Sequence, residues 1–213
     1  MQKIPYTHKL KFIPFATDFI QLPYEPINRI KKLILLYAGT LQNERNLELV
    51  FKALLKLSAT DLNAIKIQLI GSISLDIRKQ ILKFSYSEVF ELLPFMDKEK
   101  LYNYMQQAHV LLVIDSFKDN KNIFFPSKTC EYLLFRKPIF LITPDISESR
   151  RLFSDLCFNL KEESKLAKAL ALLIKDRTAY DDRLDYSQIN QFVPSNIGKE
   201  IAKSIEELFI DNM

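Results

Sequence analysis

The stretch 125–138, Phe-Pro-Ser-Lys-Thr-Cys-Glu-Tyr-Leu-Leu-Phe-Arg-Lys-Pro, holds the side chains best suited to binding an anion. Pro126-Ser127-Lys128 opens a predicted short helix, and Glu131 stands one turn further in. A helix start leaves backbone N–H groups unpaired and carries partial positive charge. A serine hydroxyl and a lysine ammonium beside it make a cradle for a phosphate or diphosphate. Glu131 is then suited to accept hydrogen bonds from sugar hydroxyls. The same residues also have a structural reading, with Ser127 as N-cap and Glu131 as an acid near the positive helix end. The spacing is not a capping box, which would put the acid at position 130, where Cys130 stands. Local physics leaves both readings open.

A second constellation is Tyr37-Ala38-Gly39-Thr40, followed by Arg45. A glycine at a strand end admits a ligand close to the backbone, and an arginine can fork onto a diphosphate. Taken alone, a tight turn at Gly39 and a solvated Arg45 in the first turn of a helix is the stronger reading. One glycine stands where the nicotinamide-binding fingerprint needs three, which argues against a dehydrogenase. Cys130 reads as packing, with no histidine nearby to activate it. His8 and His109 do not form a catalytic pair, and His109, next to an apolar run, reads as structural. No grouping has metal-ligand spacing, so neither a bound metal nor a cofactor is expected. Asp115 fits either an active-site position or a cap for the loop Phe117–Asn122. Phe124, Phe125, Tyr132 and Phe135 read as core, with one of them able to flank a ligand.

The apolar runs supply the scaffold. Leu33–Tyr37, Ile65–Ile70, Val89–Leu93, Val110–Ile114 and Pro138–Ile142 are predicted strands, with a weaker sixth at Cys157–Leu160. The first two end at Gly39 and Gly71. Helices are predicted over Arg45–Leu57, Leu75–Phe84, the segment after the N-cap candidate Asp97, Ser127–Phe135, and about 162–175 and 196–210. Strands alternating with helices predict an α/β, Rossmann-like, doubly wound parallel sheet of about six strands with helices on both faces. Ligands bind such sheets beyond the carboxyl ends of the strands, where Gly39, Asp115 and Lys128 fall. Four prolines break up residues 1–32, predicted as an irregular segment ahead of one domain over 33–213.

Composition excludes some classes. The chain has 213 residues and a net charge of +4, with basic and acidic residues interleaved, which argues against a nucleic-acid binder. Two cysteines are too few for a disulfide framework and point to a reducing, cytoplasmic setting. No apolar run reaches the length of a membrane span, and no signal-peptide pattern opens the chain.

Read together, the segments resemble the C-terminal, donor-binding half of the family 4 glycosyltransferases, enzymes of the GT-B architecture. The resemblance covers about residues 12–175. Phe12–Asp18 is similar to the family's interdomain linker, and Tyr37–Leu41 with Arg45 to its first strand and phosphate loop. Ile67–Gly71 is similar to the second strand, and Leu93-Pro94-Phe95-Met96 to the loop that reads the nucleobase. Ala108–Ile114 and Pro126–Glu131, closed by Lys137-Pro138, are similar to the strand and helix of the donor site. The resemblance implies diphosphate binding by Gly39, Thr40, Arg45, Ser127 and Lys128, ribose binding by Glu131, and base binding by Phe95 and Met96. The donor would be a nucleotide-diphosphate sugar, transferred with retention to a glycan or lipid acceptor in polysaccharide biosynthesis. The full enzyme could associate peripherally with membranes.

Two departures qualify this. The family's donor helix carries two glutamates eight positions apart; the second falls on Glu131, but the first falls on Ile123. Residues 1–32 are too short for an acceptor domain, so no catalytic residue of that domain is assignable here, and this chain alone is expected to be inactive. Its partner would be the missing acceptor domain or the other half of a split enzyme, and the helix at about 196–210 would be the one that crosses back to it. The rival reading is a noncatalytic Rossmann-like module that binds a partner protein, favoured by Ile123 and the short N-terminal segment.

Overall fold

A computed structural model describes residue 13 and residues 32–122, 124–153, 156–180 and 192–210. The expectations for residues 1–32, including the linker-like Phe12–Asp18, and those for His8 and Ile123, fall outside the described residues, apart from Ile13 and Lys32.

The chain alternates strand and helix. It runs β1 (Leu33–Leu41), α1 (Glu48–Leu54), α2 (Ala59–Asn63), β2 (Ile65–Ile73), α3 (Leu75–Lys83), β3 (Phe90–Leu93), α4 (Lys98–Gln107) and β4 (Val110–Ile114). It continues through β5 (Lys121–Asn122), α5 (Ser127–Leu133), β6 (Ile139–Ile142), β7 (Ile146–Ser147), α6 (Glu148–Leu152), β8 (Cys157–Phe158), α7 (Glu163–Lys175) and α8 (Pro194–Ile210). Six strands form one parallel sheet in the order β3-β2-β1-β4-β6-β8, and β5 pairs with β7 in a separate parallel ribbon. This is the doubly wound α/β fold expected from the sequence. The strand order reverses between β1 and β4, and right-handed crossovers therefore send the helices to opposite faces of the sheet.

The central strands are apolar on both faces because helices cover both. Every residue of β4 and β6 is buried, as is Leu33–Ala38 of β1. Burying one such leucine or isoleucine contributes about 1.5–3 kcal/mol. Helix starts follow local chemistry. The Asp97 carboxylate accepts from Lys100 N at 2.9 Å, as predicted, and the Ser58 and Ser74 hydroxyls cap α2 and α3.

Several boundaries differ from expectation. β1 and β2 do not stop near their glycines but pair on through Gly39↔Gly71 to Leu41↔Ile73. Polar Thr40 and Ser72 end the apolar run without ending the ladder. The helix expected from Arg45 begins at Glu48, because the Asn46 side chain accepts Glu48 N at 3.0 Å and holds the preceding residues in a turn. Arg45 is therefore a loop residue. Ser127 is not an N-cap: Pro126 holds that position, with no side-chain cap. Phe124 is not core but exposed, whereas Phe125, Tyr132 and Phe135 are buried. Both cysteines are buried, and burial pushes each thiol up to about 12, so neither is a nucleophile.

His109 has the structural role predicted for it. Its Nδ1 accepts from Ile34 N at 3.0 Å, so the neutral ring carries its proton on Nε2. Burial pushes its pKa down to about 4, helped by the nearby Arg177 and Lys137 charges. The unfolded chain takes up this proton near pH 6.5 and the folded chain only near 4, so stability from this residue is full above 6.5 and is lost as pH falls towards 4. Urea melts at pH 7.5 and 5 should show this loss in the native chain. In His109→Asn, whose amide oxygen can accept from Ile34 N but does not titrate, that share should vanish.

Candidate functional site: a cleft at the switch point of the sheet

β1 pairs with β4 only from Leu35↔Val110 to Tyr37↔Leu112, and beyond that the two strands part. The Ala38 N–H donates to the Tyr132 hydroxyl at 2.9 Å, which ties α5 to the carboxyl end of β1. Tyr132 is fully buried, and burial raises its pKa well above the tyrosine range, so it stays a neutral hydrogen-bonding group. A cleft of about 350 Å³ opens where the strands diverge. Its walls are Tyr37–Thr40 with Arg45 on the β1 side, and Leu112–Ile114 with Asn122 and Phe124–Lys128 on the β4 side.

Gly39, Thr40, Arg45, Ser127 and Lys128, the five residues expected to hold a diphosphate, all line this cleft. Arg45 is held by a turn in which its N–H donates to Gln42 O at 3.1 Å and Asn43 adopts φ 53°. Phe117 N–H donates to Glu44 O at 3.4 Å, which joins this turn to the loop after β4. Arg45 makes no ion pair among the described residues. The Tyr37 hydroxyl donates to Thr40 O at 2.9 Å, and burial pushes its pKa up to about 12 against the opposing pull of Arg45.

Glu131, Phe95 and Met96 stand outside the lining of the cleft. Glu131 instead forms an ion pair with Lys128, at the i,i+3 spacing of helical neighbours. Phe95 is 87% exposed in the loop between β3 and α4, and Met96 packs against the core. Sequence reasoning missed Asn122, named Tyr37 in the Gly39 constellation without a role of its own, and favoured core for Phe124 while allowing one of the four aromatics to flank a ligand. Phe125 is stacked on Phe153 and Phe192 with ring centroids 6.0 and 5.4 Å away, and its exposed neighbour Phe124 lines the cleft.

Asp115 is 1% exposed and neither lines the cleft nor caps the loop backbone. It accepts from Thr143 Oγ1 at 2.6 Å and Ser149 Oγ at 2.9 Å, joining β4 to the segment after β6 and to α6. Burial raises its pKa, opposed by these hydroxyls, by the Asn122 amide and by Arg45. Asn122 Oδ1 accepts Phe124 N at 3.0 Å, which braces the loop leading to Lys128. Asp115→Ala strips the acceptor from two buried hydroxyls and should cost about 2–3 kcal/mol. A urea melt of the variant would measure it.

Lys137 is a buried lysine whose ammonium donates to the carbonyls of Gln106 and, at 2.6 Å, Ala108. It thus fastens the end of α4 to the start of β6. Among the described residues, no group of three or more His, Cys, Asp or Glu side chains could hold a metal ion. Nor is any helix among them long and apolar enough to cross a membrane.

The strand order and a basic cleft at its reversal define a Rossmann-like α/β domain with the ligand position of that class. Residues 24–190 match the family model of the group 1 glycosyl transferases, and the chain belongs to that family. Solved GT-B structures share its fold. The lipopolysaccharide outer core galactosyltransferase WaaB, in its apo form, has a TM-score of 0.69 at 14% identity, over 92% of this chain and 54% of that one. Sucrose-phosphate synthase from Thermosynechococcus elongatus has a TM-score of 0.68 at 14% identity, over 94% and 53%. The HepE protein of Anabaena, in complex with UDP and glucose, has a TM-score of 0.64 at 14% identity, over 83% and 48%. The chain spans about half the length of these structures. No curated protein matches it in sequence.

Proposed function

We propose that residues 33–213 are the donor-binding, C-terminal domain of a family 4 glycosyltransferase, with residues 1–32 leading in from an acceptor domain. The observation that carries this reading is the meeting of Arg45 and Lys128 in one cleft where the strand order reverses. Two cations there suit a diphosphate. The family match supports a sugar-transfer reaction, and the HepE complex with UDP and glucose supports a nucleotide-sugar donor. The half-length match to GT-B structures supports a second domain, in this protein or in a partner, that supplies the acceptor site.

In this reading Arg45 and Lys128 stabilise the negative charge that develops on the leaving diphosphate, which is electrostatic transition-state stabilisation. The backbone at Gly39-Thr40 and the Ser127 hydroxyl complete the phosphate contacts. Glu131 takes the ribose hydroxyls, and the Phe95-Met96 loop holds the base. Transfer proceeds with retention to a glycan or lipid, and the chain by itself binds donor without turning it over.

Thermal melting with UDP, GDP and ADP and their sugar conjugates tests the reading. A ligand at 100 times its dissociation constant stabilises by about 2.7 kcal/mol. In a chain of this size that raises the midpoint by about 5–10 °C. A selective rise with one diphosphate is expected. No rise with any of them overturns the donor-site reading and favours a noncatalytic module for a protein partner.

A further inference from the structure

The two side chains given separate tasks on α5 are bound to each other. Lys128 lines the cleft and Glu131 does not, yet the Lys128 ammonium donates to the Glu131 carboxylate. Both ends are half-buried, with side-chain exposures of 33% and 22%, so water screens the pair less than it would a free surface pair. An ammonium in close contact with a carboxylate offers the cleft little net charge, and Arg45 is then the cation facing it that makes no ion pair among the described residues. Glu131 also neighbours Tyr102 of α4, whose pKa is raised by burial and then by the Glu131 charge. Lys98 sits over the Tyr102 ring at 5.2 Å, and that ring packs edge-on against Phe135 at 5.1 Å. Glu131 therefore has two neighbours, the cationic Lys128 on α5 and the hydroxyl of Tyr102 on α4.

We propose that the Lys128–Glu131 pair is an exchangeable clasp: an anion entering the cleft takes Lys128, and the carboxylate so released becomes the acceptor for a neighbouring vicinal diol. The inference rests on the donor-site reading above and adds to it a coupling between the two halves of the ligand. The phosphate end competes with Glu131 for Lys128, whereas the diol end rewards the same separation by occupying Glu131. A ligand that carries both groups gains from opening the clasp; a bare diphosphate only loses by it. Tyr102 gives the released carboxylate a hydroxyl partner on the α4 side.

The coupling predicts opposite signs for one substitution. Binding of inorganic pyrophosphate and of UDP is measured by titration calorimetry for the native chain, Glu131→Gln, Lys128→Ala and the double variant. Glu131→Gln should tighten pyrophosphate about three- to fivefold, the scale of a partly exposed ion pair. The same change should weaken UDP about tenfold, through loss of a charged acceptor for the ribose hydroxyls. In the Lys128→Ala background the pyrophosphate gain should disappear, which separates release of Lys128 from mere removal of a nearby negative charge. Unchanged or weaker pyrophosphate binding in Glu131→Gln overturns the clasp, and so does a gain that persists without Lys128. Equal tightening of both ligands overturns the handover to the diol. Where the melting series selects GDP or ADP, that diphosphate takes the place of UDP; failure of all three to bind any form overturns the donor-site reading and the handover with it, while the pyrophosphate cycle still decides whether Glu131 holds Lys128.

Discussion

Lys128→Ala is expected to weaken nucleoside diphosphate binding about 10- to 150-fold, the loss of one hydrogen bond to a charged group. With Arg45→Ala added, binding should fall below detection. The fold should hardly register either change. Lys128 gives up one half-buried ion pair, worth less than about 1 kcal/mol. For a chain of this size that moves the melting midpoint by less than about 4 °C. Arg45 is exposed in a loop and makes no ion pair among the described residues. Lys52→Ala, which removes an exposed i,i+4 pair with Glu48 outside the cleft, serves as the charge control and should leave affinity unchanged. Calorimetric titration with melting curves for all three variants checks the set. Native-like affinity in Lys128→Ala would remove the main support for a phosphate site in this cleft.

Gly71→Ala should be the most damaging small substitution in the described chain, costing about 3 kcal/mol or more. Gly71 has φ 119°, where an L side chain is strained by about 1–3 kcal/mol. A Cβ there would also run into the carbonyl oxygen of Gly39, its ladder partner on β1. Backbone cannot move aside as a side chain can, so either Gly39 shifts and the cleft wall shifts with it, or the ladder opens. Gly198→Ala is the control of opposite sign. Its Cβ meets nothing within 4 Å on α8, and alanine in a helix gains about 0.5–1 kcal/mol over glycine. Urea melts of the two variants should therefore move in opposite directions. A Gly71→Ala midpoint equal to the native one would mean that the two glycines are not neighbours.

These predictions differ in how far the sequence foresaw them. Residue type and position at a helix start single out Lys128 as suited to an anion, whereas Arg45 taken alone reads as solvated and only the family resemblance gives it a phosphate role. That Gly71 presses on Gly39 follows from neither, because it depends on the register Gly39↔Gly71 between strands thirty-two residues apart. The short elements were not legible for a related reason. β5 and β7 are two residues each and exist only by pairing with each other, and α2 and α6 are five-residue turns too brief to show a helical period. Phe124 and Phe125 are identical to a sequence reader. One faces out and the other is buried because Phe153 and Phe192, from distant parts of the chain, form the stack that receives it.

By itself the sequence determined the fold class and the strands of the sheet. Continuous apolar runs of strand length alternating with helical periods admit few arrangements, and the cations sit where strands end. Tertiary structure alone decided that β1 and β4 part after Tyr37↔Leu112 and that Tyr132 takes up the Ala38 N–H. It also decided that Asp115 serves Thr143 and Ser149 rather than the cleft. Each of these is a hydrogen bond or a lost pairing between residues far apart in the chain. Local propensity carries no information about them, because the partner is chosen by packing.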